Sequence, residues 1–314
     1  MKELLQFIVF PGILFTAAVG CLAHWIDRKV TARVQWRVGP PLLQPLYDIL
    51  KLLGKETMIP KGGARWVFLF SPVFAFASTA LVSTLLWRVM LAPRSGFVGD
   101  LIVVIYLLMI PSICLVISGA ASANPLSSLG ASREMKMILS YELPFILVLF
   151  VPVIQTVIQG RGMISLGRLL QWQQAEGNSL FVFSLSGFLA FIVALVCMQA
   201  KLGLVPFDNP EAEAEIIAGP YTEYSGPPLA LFKLTNWMLL FVVPVFLVIM
   251  YLGGIVFSGV HILWGILKYV LILVLIILVR NTNPRLRIDQ AMRFFWGPVL
   301  VLAVISVILA FLGV

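Results

Sequence analysis

YVLILVLIILV (269–279) is an unbroken apolar run. A strand of a transmembrane barrel alternates apolar and polar residues over about ten positions, and this run does not alternate. With its flanks it covers 260–280, enough for a helix to cross the roughly 30 Å hydrocarbon core of a bilayer. Seven further stretches read the same way: 4–26, 67–92, 99–119, 135–158, 179–200, 229–252 and 296–314.

The whole composition agrees. The 314 residues are 61% hydrophobic and 11% charged, with a mean hydropathy of +1.02; soluble domains carry about 25% charged residues. The expectation is an all-α polytopic membrane protein. One integral-membrane domain, 1–314, holds about eight transmembrane helices. The first segment is about twice the length of a signal-peptide core and lacks its cleavage site.

Charge sets the orientation. With eight spans, both termini share one side and the loops at 27–66, 120–134, 201–228 and 281–295 share the other. Those loops and their borders hold Arg28, Lys29, Arg33, Arg37, Lys51, Lys55, Lys61, Arg65, Arg133, Lys136, Lys201, Arg280, Arg285, Arg287 and Arg293. The opposite side holds Lys2, Arg88, Arg94, Arg161 and Arg168. The positive-inside rule places the charged loops in the cytoplasm and both termini outside, in the cell membrane. The net charge of +8 therefore reports orientation and not nucleic-acid binding.

Within the first loop, LLQPLYDILKLLGKE (42–56) places Leu42, Leu46, Ile49, Leu50 and Leu53 at three- and four-residue steps, with Gly54 at the end. This predicts a short amphipathic helix lying in the membrane interface. Cys21, Cys114 and Cys197 fall in separate spans without a CxxC pair, so the chain alone holds no iron–sulfur cluster. His24 and His261 lie at span ends and read as packing or snorkelling residues. No nucleotide-binding glycine motif occurs, so any redox cofactor belongs to other chains.

Two acidic features stand out. Glu142 lies about two turns into the fourth span, two residues before Pro144, and an ionisable group at that depth is costly unless paired or wet. Lys233 and Lys268 are its candidate counter-charges. PFDNPEAEAE (206–215) concentrates Asp208, Glu211, Glu213 and Glu215, with Glu223 eight residues on and no basic residue between Lys201 and Lys233. Asn209 suits a helix N-cap, Pro210 the first helical position and Gly219 the end, predicting a helix of about nine residues with Glu211 and Glu215 on one face. Helix-dipole complementation explains one or two of these acids. The remainder suit an access path for protons or cations.

Three motifs carry a resemblance. DRKVTARVQWRVGPPLLQPLYDILKLLGKE (27–56), REMKMILSYE (133–142) and PFDNPEAEAEIIAGPYTEYSG (206–226) resemble, in order, motifs of a membrane component of complex I (the H subunit of NADH–quinone oxidoreductase) and of the anchor subunit of membrane-bound hydrogenases. The resemblance implies that Arg28, Gln35 and Arg37 lie in the loop that docks the peripheral redox arm. It implies that Glu142, Asp208, Glu211, Glu213, Glu215 and Glu223 form the acidic chain leading from that arm into the membrane.

One departure is informative: GPPLLQP runs through without the segment that complex I proteins carry between G-P and L-L-Q-P. SREM (132–135) and RLRID (285–289) also look more like the energy-converting hydrogenases. The resemblance thus favours a non-catalytic anchor and ion-coupling subunit of a ferredoxin-linked hydrogenase-type complex. Its iron–sulfur clusters and nickel–iron centre would sit in the large and small hydrogenase subunits, beside antiporter-like and small membrane subunits. A quinone-site subunit of complex I, or the homologous subunit of a sulfur-reducing relative, is the alternative. A stand-alone transporter would show an inverted repeat, and none is visible.

Overall fold

The computed structural model describes residues 6–158, 164–175, 179–257 and 259–313, apart from the side chains of Glu213 and Ala214. Lys2, Glu3, Arg161 and Glu176, which bear on the charge balance, lie outside the described residues. The described chain is helical: α1 Ile13–Val34, α2 Gln44–Leu53, α3 Arg65–Leu91, α4 Asp100–Ala121, α5 Pro125–Ile158, α6 Leu166–Gln174, α7 Leu185–Lys201, α8 Glu213–Ile216, α9 Pro227–Tyr251, α10 His261–Thr282 and α11 Ile288–Phe294. A π-helical turn, Phe295–Val299, joins α11 to α12, Leu300–Phe311, in one rod.

Seven of these rods are long and apolar enough to span a bilayer. The expected crossing at 179–200 is the 17-residue helix α7, preceded by a 3₁₀ turn at Phe181–Phe183. Its rise of about 25 Å is short of a full crossing. Hydrogen bonds between connections nevertheless fix its direction. At one end of the bundle, Ala64 N–H donates to the Ala121 carbonyl (3.0 Å) and Leu286 N–H to the Pro206 carbonyl (3.0 Å), while Asn124 donates to Glu223 (2.5 Å). At the other end, Gly99 N–H donates to the Ile164 carbonyl (2.6 Å) and Gln155 to Ser184 (2.7 Å). Helix α7 starts in the second cluster at Ser184 and ends beside the first at Lys201, so it runs from one end of the bundle to the other as a shorter apolar helix beside the seven long ones.

Helix α9 is the hub: 89% of its apolar window is buried, against 28% for α1, α10 and α11–α12. It packs on α1 and α3 and also touches α10 and α7, while α5 packs on α4, α7 and α12. The outer rods present apolar side chains outward, such as Leu263, Leu267 and Leu271 on α10, as a lipid-facing or subunit-facing surface requires.

Several helices contain proline, and the fold compensates. A proline inside a helix leaves the carbonyl four residues earlier without its donor. Pro152 does this to Val148 and Pro72 does it to Phe68. Tyr251 donates to the Val148 carbonyl (2.7 Å) and Tyr224 to the Phe68 carbonyl (2.9 Å), so each orphan finds a tyrosine from another segment.

Several boundaries differ from those expected by sequence. Helix α1 runs on to Val34, carrying Asp27, Arg28, Lys29 and Arg33 on its last turns, because Asp27 and Arg28 find partners there. Helix α5 starts at Pro125, ten residues before the expected 135, capped where Asn124 accepts from Leu126 N–H (2.9 Å); the loop expected at 120–134 is mostly helix. The amphipathic helix is present as α2, with Gly54 at its C-cap. Its Leu46, Leu50 and Leu53, and Leu42 just before it, point outward while Ile49 is buried, and Asp48 turns inward to Arg28 (2.9 Å).

The expected nine-residue helix after Asn209 does not form. The stretch folds as three single turns: a 3₁₀ turn at Asn209–Glu211, the four-residue α8, and a 3₁₀ turn at Gly219–Tyr221. The chain doubles back so that Gly219, at φ +50°, lies against the Pro210 carbonyl. A Cβ there would stand 2.0 Å from that oxygen, so only glycine fits. Gly130 of α5 faces the same carbonyl, and a Cβ there would come within 3.0 Å of it. These two glycines let the acidic segment seat directly on α5.

Candidate functional site

Breaking the helix disperses the carboxylates. Glu211 and Glu215, expected on one helical face, point to different partners. Asp208 forms a fork with Arg285, whose Nε lies 2.8 Å from Oδ1 and whose terminal nitrogen bonds the other oxygen. Glu215 pairs with Arg133 of α5 (2.5 Å). Glu223 accepts from Asn124. The side chain of Glu213 lies outside the described residues, although its backbone begins α8. The segment that lacks internal basic residues is thus neutralised in part from α5 and from the connection between α10 and α11.

Glu211 differs. It lines a small cavity of about 30 Å³, open to one side, together with Pro111 and Ser112 of α4, Glu134 of α5, Lys201 at the end of α7, Tyr221, and Thr235 and Asn236 of α9. Enclosure pushes its carboxyl up to about 7, with Glu134 and Asp208 acting in the same direction; a hydrogen bond from Tyr221 and the Arg280 charge oppose the rise. Asn236 Nδ2 donates to Tyr221 Oη (3.1 Å), leaving the phenol proton for Glu211. Burial and the Glu211 carboxylate push the Tyr221 phenol well above its ordinary value, so Tyr221 stays a donor.

Glu142 lies deeper, with Lys201 as its counter-charge: Nζ lies 2.8 Å from Oε2, and the side chains are 2% exposed for the lysine and 10% for the glutamate. Lys233 and Lys268, the candidates from the sequence, do not fill that role. Lys233 is exposed on α9. Lys268 donates to the carbonyl of Leu252, the C-cap of α9 (2.5 Å), where a cation meets the negative end of the helix. By sequence Lys201 is a loop charge, because it closes the apolar run LVCMQAK (195–201). Its ammonium also stands 5.1 Å from the Tyr141 ring centroid and 5.2 Å from that of Phe145, geometry that favours a cation. Glu142 Oε1 is buried and accepts no hydrogen bond from the described residues.

Two further residues escape a reading of the sequence. Glu134, 8% exposed, is visible there only as part of SREM. Asp27 pairs with Arg280 (2.6 Å), 253 positions away, a separation at which sequence shows no pairing.

Of the residues expected to dock a peripheral arm, Arg28 pairs with Asp48, Gln35 donates to Asn281 (3.4 Å) and Arg37 is exposed. Arg37 is flanked by Trp36, 98% exposed, and Val38, 96% exposed. The turn that presents them is held by Arg37 N–H donating to the Ala32 carbonyl (2.7 Å). His24 stacks on Trp237, with ring centroids 4.3 Å apart, as a packing residue.

Comparison with known proteins supports one assignment. Residues 6–311 match the model of the NADH dehydrogenase family. The NADH-quinone oxidoreductase H subunit of Geobacillus thermodenitrificans is 32% identical over 96% of this chain and 92% of that protein. Its counterpart in Bacillus thuringiensis is 33% identical over 97% and 93%. A chain in the structure of the membrane-bound sulfane sulfur reductase, an archaeal respiratory membrane complex, superposes with a TM-score of 0.87 at 30% identity, covering 99% of this chain and all of that one. The chain belongs to the NADH dehydrogenase family, as a multi-pass membrane subunit of the complex I-like oxidoreductases.

Proposed function

We propose that this subunit anchors the peripheral redox arm of a ferredoxin-linked, membrane-bound hydrogenase-type complex and couples its electron transfer to translocation of H⁺ or Na⁺. In this reading the arm sits on the cytoplasmic end, over the loops that carry Arg28, Gln35, Arg37 and the acidic segment. Iron–sulfur clusters and a nickel–iron centre belong to the arm. Antiporter-like and small membrane subunits occupy the outer apolar faces. Both termini lie outside the cell.

The observation that carries the reading is the polar cavity holding Glu211 and Glu134, whose wall includes the counter-ion of Glu142. Glu211 is held near neutrality, where a carboxyl exchanges protons readily. Asp208, Glu213, Glu215 and Glu223 are the approach to it. The uninterrupted GPPLLQP (39–45) favours the hydrogenase type or its sulfur-reducing relatives. A second reading, a quinone-site subunit, is favoured by the names of the bacterial relatives.

Gentle detergent purification separates these readings: a nickel-containing iron–sulfur arm supports the first, and a flavin-bearing arm with quinone-dependent turnover supports the second. Glu142→Gln and Glu213→Gln should impair ion translocation more than assembly. Translocation at the wild-type rate in both variants sinks the acidic path.

A further inference from the structure

The cavity contains an unusual juxtaposition. Lys201 is nearly fully buried and bonded to Glu142 on one side, yet it also lines the cavity that holds Glu134 and Glu211. Glu134 lies within electrostatic reach of the Lys201 ammonium, and Glu211 within reach of Glu134. Glu134 and Glu142 are eight residues apart on α5, about 12 Å of helix rise and a little over two turns, so they lie about 80° apart around the helix, both on the side that faces Lys201. A lysine stem has four rotatable carbons. One buried cation therefore faces two carboxylates along one helix, only one of which it holds in this structure.

We propose that Lys201 is a mobile counter-charge exchanged between Glu142 and Glu134, and that this exchange links the Glu211 cavity to Glu142. The inference rests on the reading of the acidic chain as an ion path. The exchange starts from the arrangement seen here, with the Lys201 ammonium bonded to the Glu142 carboxylate, and with Glu134 protonated while Ser112 donates to its carboxyl. When Glu134 passes its proton to the Glu211 carboxylate, the ammonium gains a second anion. Moving toward Glu134, it leaves Glu142 as a buried carboxylate with no cation, an unfavourable state that is relieved when Glu142 takes up a proton.

Protons balance: Glu134 loses one, Glu211 gains one, and Glu142 gains one from the deeper side. Lysine keeps its charge throughout and acts as a positioning residue. The other titratable groups facing it are Tyr141 on α5 and Cys197 on its own helix. A phenol and a thiol are neutral in the ordinary cellular range, so neither supplies a competing anion. The unpartnered Glu142 Oε1 is a place for the incoming proton.

The test uses the whole complex in sealed vesicles, with assembly checked by co-purification. Glu134→Gln preserves size and the Ser112 hydrogen bond but cannot ionise. It should lower ion translocation about tenfold, within the usual range of coupling effects. Glu134→Asp should restore most of it. Lys201→Met should lose as much as Glu134→Gln, and Lys201→Arg should retain more than Lys201→Met. Infrared difference spectra taken during turnover should show a protonated-acid C=O band that Glu142→Gln abolishes and that is missing in Glu134→Gln. If Glu134→Gln and Lys201→Met translocate normally while Glu142→Gln and Glu211→Gln do not, the exchange is wrong and the path survives. If all four translocate normally, the path itself is wrong.

Discussion

Tyr224 donates its phenol proton to the carbonyl of Phe68, 2.9 Å away, the carbonyl that Pro72 deprives of its helical donor. The two rings also stack, with centroids 3.9 Å apart and planes within 7°. Tyr224 belongs to the segment TEYSG that follows the acidic turns. A proline in one transmembrane helix thus supplies the acceptor that anchors the loop following the acidic turns, 156 positions away.

Tyr224→Phe keeps the stack and removes the donor. An unsatisfied buried carbonyl in a membrane protein costs about 1 kcal/mol, read as a lower unfolding midpoint in detergent. Pro72→Ala restores a helical donor to Phe68. In that background Tyr224→Phe should cost less, and a double-mutant cycle measures the difference. Equal costs in both backgrounds would show that the phenol does not compensate for the proline.

The same pair marks how far the sequence can be read. Apolar runs expose the helices and their order, because burial in lipid demands composition before it demands contacts. The leucine spacing of 42–56 exposes α2 and its end at Gly54. Pro72 and Pro144 are visible as helix disruptions, but the residue that satisfies an orphaned carbonyl comes from another part of the chain. The acidic turns are illegible for a related reason. Asn209, Pro210 and Gly219 favour a helix locally, and the close seating of Gly219 and Gly130 on the Pro210 carbonyl overrides that preference. Lys201 is ambiguous because one charge at the end of an apolar run looks the same whether it enters water or turns inward to Glu142.

The exposed ledge Trp36–Arg37–Val38 should carry the attachment of a peripheral arm. Large apolar side chains almost wholly open to solvent at the polar end of a membrane protein mark an interaction surface, and tryptophan and arginine are the residue types that dominate such contacts. Trp36→Ser and Arg37→Ala should each weaken retention of the arm by about 2 kcal/mol, measured as loss of co-purification with rising salt and detergent. Arg37→Ala should be the more salt-dependent of the two. Full retention of the arm in both variants would count against this ledge.

Glu211 gives a prediction of sign. Its carboxyl is raised to about 7 in the folded protein and returns to the ordinary carboxylate range on unfolding. Between these values the native state binds the proton and the unfolded state does not. Stability therefore falls as pH rises from about 5 toward 7 and levels off above that, because stability declines wherever the folded state holds more protons. Glu211→Gln is neutral at every pH and should remove this slope. The unfolding midpoint of the variant relative to wild type should climb through that window and stay flat beyond it. Parallel curves would mean that Glu211 titrates as an ordinary surface acid. The cavity would then lose its proton-exchanging carboxyl, even with Lys201 and Glu142 still paired beside it.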